Sequence, residues 1–131
     1  GYTVANDVTI PHASVHRPSI RQRCHDGFCP IGPWIVAREH VANPDDLEIR
    51  IFIDGALRCR NSTANLVRPV ARLIAEVSTF MTLEAGDMLL AGLPDNAPQA
   101  GTGETVRVEI DGLGTLENRL VAARDLEGER R

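Results

Sequence analysis

Apolar and polar residues alternate with a period of two along several stretches, the signature of strands with one buried face. Leu47, Ile49, Ile51 and Ile53 alternate with Glu48, Arg50 and Phe52. Asp54-Gly55 then separates this run from a second at 56–59. Asp-Gly between such runs suits a type I′ turn, so 47–59 is predicted to be a β-hairpin with Glu48 and Arg50 on its open face. A second alternating stretch, 105–110, meets Asp111-Gly112 and returns over 113–121. Shorter strands are predicted at 2–7 and 34–36. An uninterrupted apolar run at 88–91, entered through the turn 84–87, reads as a buried strand. One segment follows the helical period: Val70, Leu73, Ile74, Val77 and Phe80 form a stripe after Pro69, which suits a first helical turn. A core helix is therefore expected over 69–80. Pro11 and Pro18 leave 11–30 as a long loop with one helical turn, and a loop of that length in a compact domain is usually functional or disordered. The fold class that follows is mainly β (α+β), with one main helix.

Composition changes this picture little. The chain has 131 residues, 43% of them hydrophobic and 24% charged, and a formal net charge of −4. One domain of this size buries roughly two-thirds of its unfolded surface. The acidic balance argues against a nucleic-acid partner, and no aromatic residue interleaves with the basic run Arg17-Pro-Ser-Ile-Arg-Gln-Arg23. No apolar run approaches the roughly 18 residues needed to cross a bilayer, so no membrane partner is expected. No signal peptide is visible, and three cysteines fit a reduced, cytoplasmic compartment better than a disulfide framework. The chain opens at Gly1 inside what reads as a strand, which suggests a part of a larger domain. The tail 122–131 is charged and expected to be solvated.

The candidate chemistry is sparse. Cys24, His25 and Cys29 lack a second closely spaced pair, as a structural zinc site requires, and Cys29 precedes a proline rather than a helix start that would depress its pKa. Free thiols are the reading taken. Gly101-Thr-Gly-Glu104 is followed by no GK[ST] and no helix, so it reads as a turn rather than a phosphate loop. Asp7 stands beside Asn6 at the end of a strand and the mouth of the long loop. Such a carboxylate suits a divalent cation, though a turn or cap role is the commoner one.

Four collinear blocks carry a resemblance: Gly1-Tyr-Thr-Val-Ala-Asn-Asp7, Gly27-Phe-Cys-Pro-Ile-Gly-Pro-Trp-Ile-Val36, Phe80-Met-Thr-Leu-Glu-Ala-Gly-Asp-Met88 and Asp111-Gly-Leu-Gly-Thr-Leu-Glu-Asn118. Together they resemble the fumarylacetoacetate hydrolase family over 1–121, taken as the larger, C-terminal part of its domain. Asp7-Val-Thr-Ile-Pro-His12 and the stretch from Arg17 to Pro30 resemble most the isomerase/decarboxylase branch of 4-hydroxyphenylacetate degradation, particularly its amino-terminal half.

The resemblance implies a mixed, mostly antiparallel β-roll that buries short helices. It implies an enzyme acting on an open-chain 2-oxo or 2-hydroxy-diene dicarboxylate, with a non-catalytic pairing domain or an acylpyruvase-type hydrolase as alternatives. It further implies Mg²⁺ or Mn²⁺ held by Asp7 together with a Glu-x-Glu pair that would precede Gly1. Arg23 takes the place of a family lysine and is the expected catalytic cation. Arg17 and Arg21 would bind substrate carboxylates, since guanidinium pairs bidentately with them. Gly92 and Leu93 fall at substrate-facing positions, in a stretch reading Ala91-Gly-Leu-Pro94 where the family has Thr-Gly-Thr-Pro. Pro11 replaces a family arginine, and Ser62-Thr63 replaces Asn-Thr. The expected partners are a small dicarboxylate and either a second copy or a paired family half.

Overall fold

The structure is a computed structural model that describes residues 1–13, 19–92, 97–122 and 125. Its centre is the hairpin β3 (Glu48–Ile53) and β4 (Ala56–Ser62), followed in space by β5 (Thr105–Ile110) and β6 (Gly114–Arg119). They form a four-stranded antiparallel sheet in the order β4-β3-β5-β6. Asp54 and Gly55 both have positive φ, 48° and 78°, as a type I′ turn requires. Thr105 N–H donates to Asp54 Oδ1 and Asp54 N–H to the Thr105 carbonyl, each at 2.9 Å, so the turn also docks the start of β5.

Register decides the two faces of this sheet. Ile49, Ile51 and Ile53 stand opposite Ile110, Val108 and Val106, and Val108 stands opposite Leu116. Cross-strand partners share a face, so these residues make one apolar surface. On the reverse, Arg50 faces Glu109 and Phe52 faces Arg107. The Arg107 guanidinium lies 4.3 Å from the Phe52 ring centre. Arg50 donates through Nε to Glu109 (3.2 Å), through Nη1 to Glu48 (2.8 Å) and through Nη2 to Asp111 (2.8 Å). Burial pulls the Arg50 pKa down, but the Glu109 hydrogen bond and the charges of Asp111 and Glu48 outweigh it and leave the pKa raised.

A two-stranded ribbon, β1 (Tyr2–Ala5) with β2 (Ile31–Val36), closes the apolar face. Val4 is wholly buried and joins Val106, Val108, Leu113 and Leu116 in the core, flanked by Tyr2, Val36, Ile49 and Ile51. The join is close where the Trp34 indole lies on Gly114. A Cβ there would come within 3.1 Å of the ring, and Gly114 has φ +112°, so glycine is required twice over.

The β-rich class and both hairpins agree with the sequence reading, and all strand pairs among the described residues are antiparallel. The first strand is shorter than expected, ending at Ala5, and β2 begins earlier, at Ile31. Two expectations need correction. The run 88–91 is not a strand: it pairs with nothing among the described residues, and Met88, Leu89 and Leu90 are exposed. The helix α2 (Val70–Val77) exists, with Pro69 at its N-cap, but it is not a core helix. None of its residues is fully buried, and Phe80 is 77% exposed. The physical reason is shared. Both segments carry enough apolar surface for burial, but the core is already filled by the ribbon and sheet.

Candidate functional site

Residues 6–10 continue the β1 direction as an irregular strand held against the chain at 22–30. Asn6 N–H donates to the Pro30 carbonyl (3.0 Å), Val8 N–H to Phe28 (2.8 Å) and Ile10 N–H to Gln22 (2.9 Å). The returning chain has two parts. A single helical turn, α1 (Ile20–Arg23), closes with Cys24 N–H on the Ile20 carbonyl at 2.7 Å. A tight turn follows from His25 to Phe28, with Gly27 at φ +77° and Phe28 N–H on the His25 carbonyl. The His25 and Phe28 rings then sit with centroids 4.7 Å apart. The Asp26 to Trp34 stretch therefore acts largely through its backbone: its glycine makes the turn, and Phe28 and Pro30 grip the segment that carries Asp7.

This framework places Arg23 beside Asp7. Arg23 Nη1 donates to Asp7 Oδ2 at 3.2 Å, and the side chains are 49% and 17% exposed. The aspartate is thus the inner member, and the guanidinium keeps open donors toward solvent. One residue before Asp7 and two after it, Asn6 Nδ2 and Thr9 Oγ1 are buried with no hydrogen-bond partner among the described residues. Buried polar atoms without partners are uncommon and destabilising. Sequence reasoning noted Asn6 only as a neighbour and missed Thr9. Neither has a signal beyond its closeness to Asp7.

The other expected site residues are distributed less favourably. Arg21 lies on α1, with its carbonyl accepting from His25 Nε2 (2.5 Å) and its guanidinium in no ion pair among the described residues. Gly92 has φ +136° and faces Leu66, whose Cδ2 would lie 3.7 Å from an added Cβ. Arg17 and Leu93 lie outside the described residues. A wide-open depression of about 410 Å³ lies elsewhere, lined by Trp34, Arg50, Asp111 and Gly114 among others. It is a poor anion site, because Arg50 is committed to three carboxylates there.

The same geometry tests a metal. Among the described residues no group of three or more His, Cys, Asp or Glu side chains could hold an ion. Asp7 offers one hard oxygen set, already facing a guanidinium. A divalent cation of the magnesium type wants several oxygens, so these residues alone do not fit one. Cys24 and Cys29 are exposed free thiols and Cys59 is buried. No helix among the described residues is long and apolar enough to cross a membrane.

Comparisons with known proteins find relatives of this sequence and fold. The bifunctional isomerase/decarboxylase of 4-hydroxyphenylacetate degradation from Salmonella dublin is 42% identical over 92% of this chain, which spans 29% of that protein. The solved maleylpyruvate hydrolase of Sphingobium sp. SYK-6 superposes with a TM-score of 0.83 at 30% identity, covering 92% of this chain and 44% of its own. Its complex with manganese(II) and pyruvate gives 0.74 at 31%, covering 81% and 40%. The 5-carboxymethyl-2-hydroxymuconate delta-isomerase of Mycobacterium smegmatis gives 0.73 at 38%, covering 79% and 40%. This chain therefore spans less than half of each. The model of the fumarylacetoacetate (FAA) hydrolase C-terminal region matches residues 1–121, and on that match the chain belongs to the fumarylacetoacetate hydrolase family.

Proposed function

We propose that this chain supplies one wall of an isomerase/decarboxylase site for an open-chain 2-oxo or 2-hydroxy-diene dicarboxylate. The observation that carries the reading is the Asp7–Arg23 pair, held by backbone bonds on both strands of the loop and left half open. Relatives named as isomerases or decarboxylases of such acids support the substrate class.

In this reading Arg23 receives a substrate carboxylate or enolate oxygen. A guanidinium donates two parallel hydrogen bonds to such a group and stays protonated throughout, so it stabilises negative charge without moving a proton. Asp7 aims and holds it. The unpartnered Asn6 and Thr9 atoms would add neutral hydrogen bonds to the same ligand or to a neighbouring segment. Mg²⁺ or Mn²⁺ would need further oxygen ligands from outside the described residues, with Asp7 contributing one carboxylate.

The likeness to the maleylpyruvate hydrolase supports a second reading, hydrolysis of a 2-oxo acid by the same site. A noncatalytic pairing role is the third. Turnover of 2-hydroxyhepta-2,4-diene-1,7-dioate and of maleylpyruvate, followed by ultraviolet absorbance, separates them. The expected result is turnover of the diene diacid, falling about 10- to 100-fold in kcat/KM in Arg23→Met, the loss of one charge-assisted hydrogen bond. Arg23→Lys should recover part of it. Turnover of maleylpyruvate alone would move the assignment to the hydrolase. Inactivity on both, or an unaffected Arg23→Met, would sink the catalytic reading.

A further inference from the structure

The residue across the loop from Asp7 is a cysteine. β1 and β2 pair with Val4 opposite Gly32 and Ala5 opposite Ile31. Beyond the ribbon, the bonds from Asn6 N–H to the Pro30 carbonyl and from Val8 N–H to the Phe28 carbonyl keep that register. Asp7 therefore stands opposite Cys29. Val8 N–H also lies 3.1 Å from the Asn6 carbonyl, which pinches the chain at Asp7 but leaves the register the same on both sides. Directly opposed residues of an antiparallel pair share a face and hold their Cβ atoms about 4.5–5.5 Å apart.

Alternation says which face this is. Val4 is wholly buried against the sheet, so Ala5 and Asp7, with Ile31 and Cys29 across from them, occupy the outward face. Ile31 is 43% exposed, and Cys29 is an exposed free thiol. The outward face thus runs from the Asp7–Arg23 pair onto a thiol and an isoleucine side chain. Of these four strand positions only Asp7 carries a charge.

The chemistry of that strip narrows what lies on it. A thiol behaves as a small apolar group with a weak donor, so it does not replace the hydrogen bonds that a hydroxylated chain gives up on leaving water. A hydrocarbon chain gives up none. We propose that Cys29 is a specificity-determining residue of the site. An acid anchored at Arg23 lays its carbon chain across the Cys29 thiol toward Ile31, which selects hydrocarbon diacids over polyhydroxylated sugar acids. The inference rests on the proposed role of Arg23 as a carboxylate anchor and not on the reaction, so binding and turnover are separate readouts.

The test follows alkylation of the full chain by iodoacetamide, with Cys24 and Cys29 quantified separately by tandem mass spectrometry. The probe is heptanedioate, a saturated seven-carbon diacid that an isomerase or decarboxylase of dienes cannot consume. At about ten times its dissociation constant it should slow Cys29 alkylation about tenfold, the ratio set by the sites left empty, and Cys24 much less. Gluconate, a hydroxylated acid, should protect neither, and Arg23→Met should abolish the protection. Cys29→Phe, at an exposed position, should weaken heptanedioate binding about tenfold by calorimetry. Cys29→Ala should retain binding, which keeps the test decisive if the phenylalanine disturbs the ribbon. Absent heptanedioate binding, equal slowing of both cysteines, or equal protection by gluconate would overturn the inference, whether or not the diene diacid is turned over. Selective protection of Cys29 without turnover would uphold it and sink only the proposed reaction.

Discussion

The four-stranded sheet with its ribbon and the segment 66–92 are built from similarly apolar sequence, yet they end in opposite states. In the sheet, every apolar position of β3 and β5 meets another across the register or under the ribbon. In the segment, α2 leaves Val70, Leu73 and Val77 only half-buried and Ile74 exposed, and Phe80 just beyond it is largely exposed. The sheet draws its partners from within the chain: two tight hairpins form locally, and the long-range pairing of β3 with β5 joins their apolar positions. The helix makes no such extended contact with a strand, since the ribbon already covers the apolar face of the sheet. Amphipathicity thus reports a face suited to burial, but not how fully it is buried.

The largest difference should appear on truncating one residue in each region. Leu113→Ala, at a site 4% exposed, should destabilise the chain by about 2–5 kcal/mol in denaturant unfolding. Ile74→Ala, at 44% exposure, should change it by less than about 1 kcal/mol. Equal losses would mean that the helix shares the core and would break the comparison.

A smaller effect is expected where ribbon meets sheet. Gly114→Ala adds a methyl within 3.1 Å of Trp34 at a φ of +112°, and should lower stability by about 1–3 kcal/mol. Gly112→Ala, which also has positive φ but open space around it, separates backbone strain from the clash with the indole.

The smallest effect concerns pH in the segment. The Arg72 hydrogen bond lowers the Glu76 pKa; burial opposes it, but the charges of Arg68 and Arg72 and the Arg68 hydrogen bond leave the pKa lowered. A depressed carboxylate stabilises the fold above its ordinary pKa of 4.5, and that contribution fades as pH falls through and below it. A carboxyl-carbon NMR titration should give a Glu76 midpoint below 4.5. Faster α2 amide exchange in acid should be absent in Glu76→Gln.

What the sequence made legible follows the same division. Alternation at 47–53 and 105–110, with Asp-Gly after each, was sufficient to place both hairpins, because their determinants are local. The run 88–91 was misread because a short apolar stretch looks the same whether it awaits a strand neighbour or some other cover. Of the expected site residues, Asp7 and Arg23 meet as an ion pair. Sixteen residues apart, they are brought together by three backbone-to-backbone hydrogen bonds that no side-chain pattern announces. Asn6 and Thr9 were invisible as candidates because an unpartnered polar atom is a property of the packed state.

Trp34 is the chain's one tryptophan, and its ring rests against Gly114 across the boundary between ribbon and sheet while remaining 60% exposed. The molecule consequently carries a native optical probe at the seam between ribbon and sheet. Parting of the two layers would free the indole into water and red-shift its emission, and no labelling is required. Events confined to α2 should leave that signal unchanged. A single fluorescence trace, set beside a helical circular dichroism signal, would therefore distinguish loss of the core from loss of the helix.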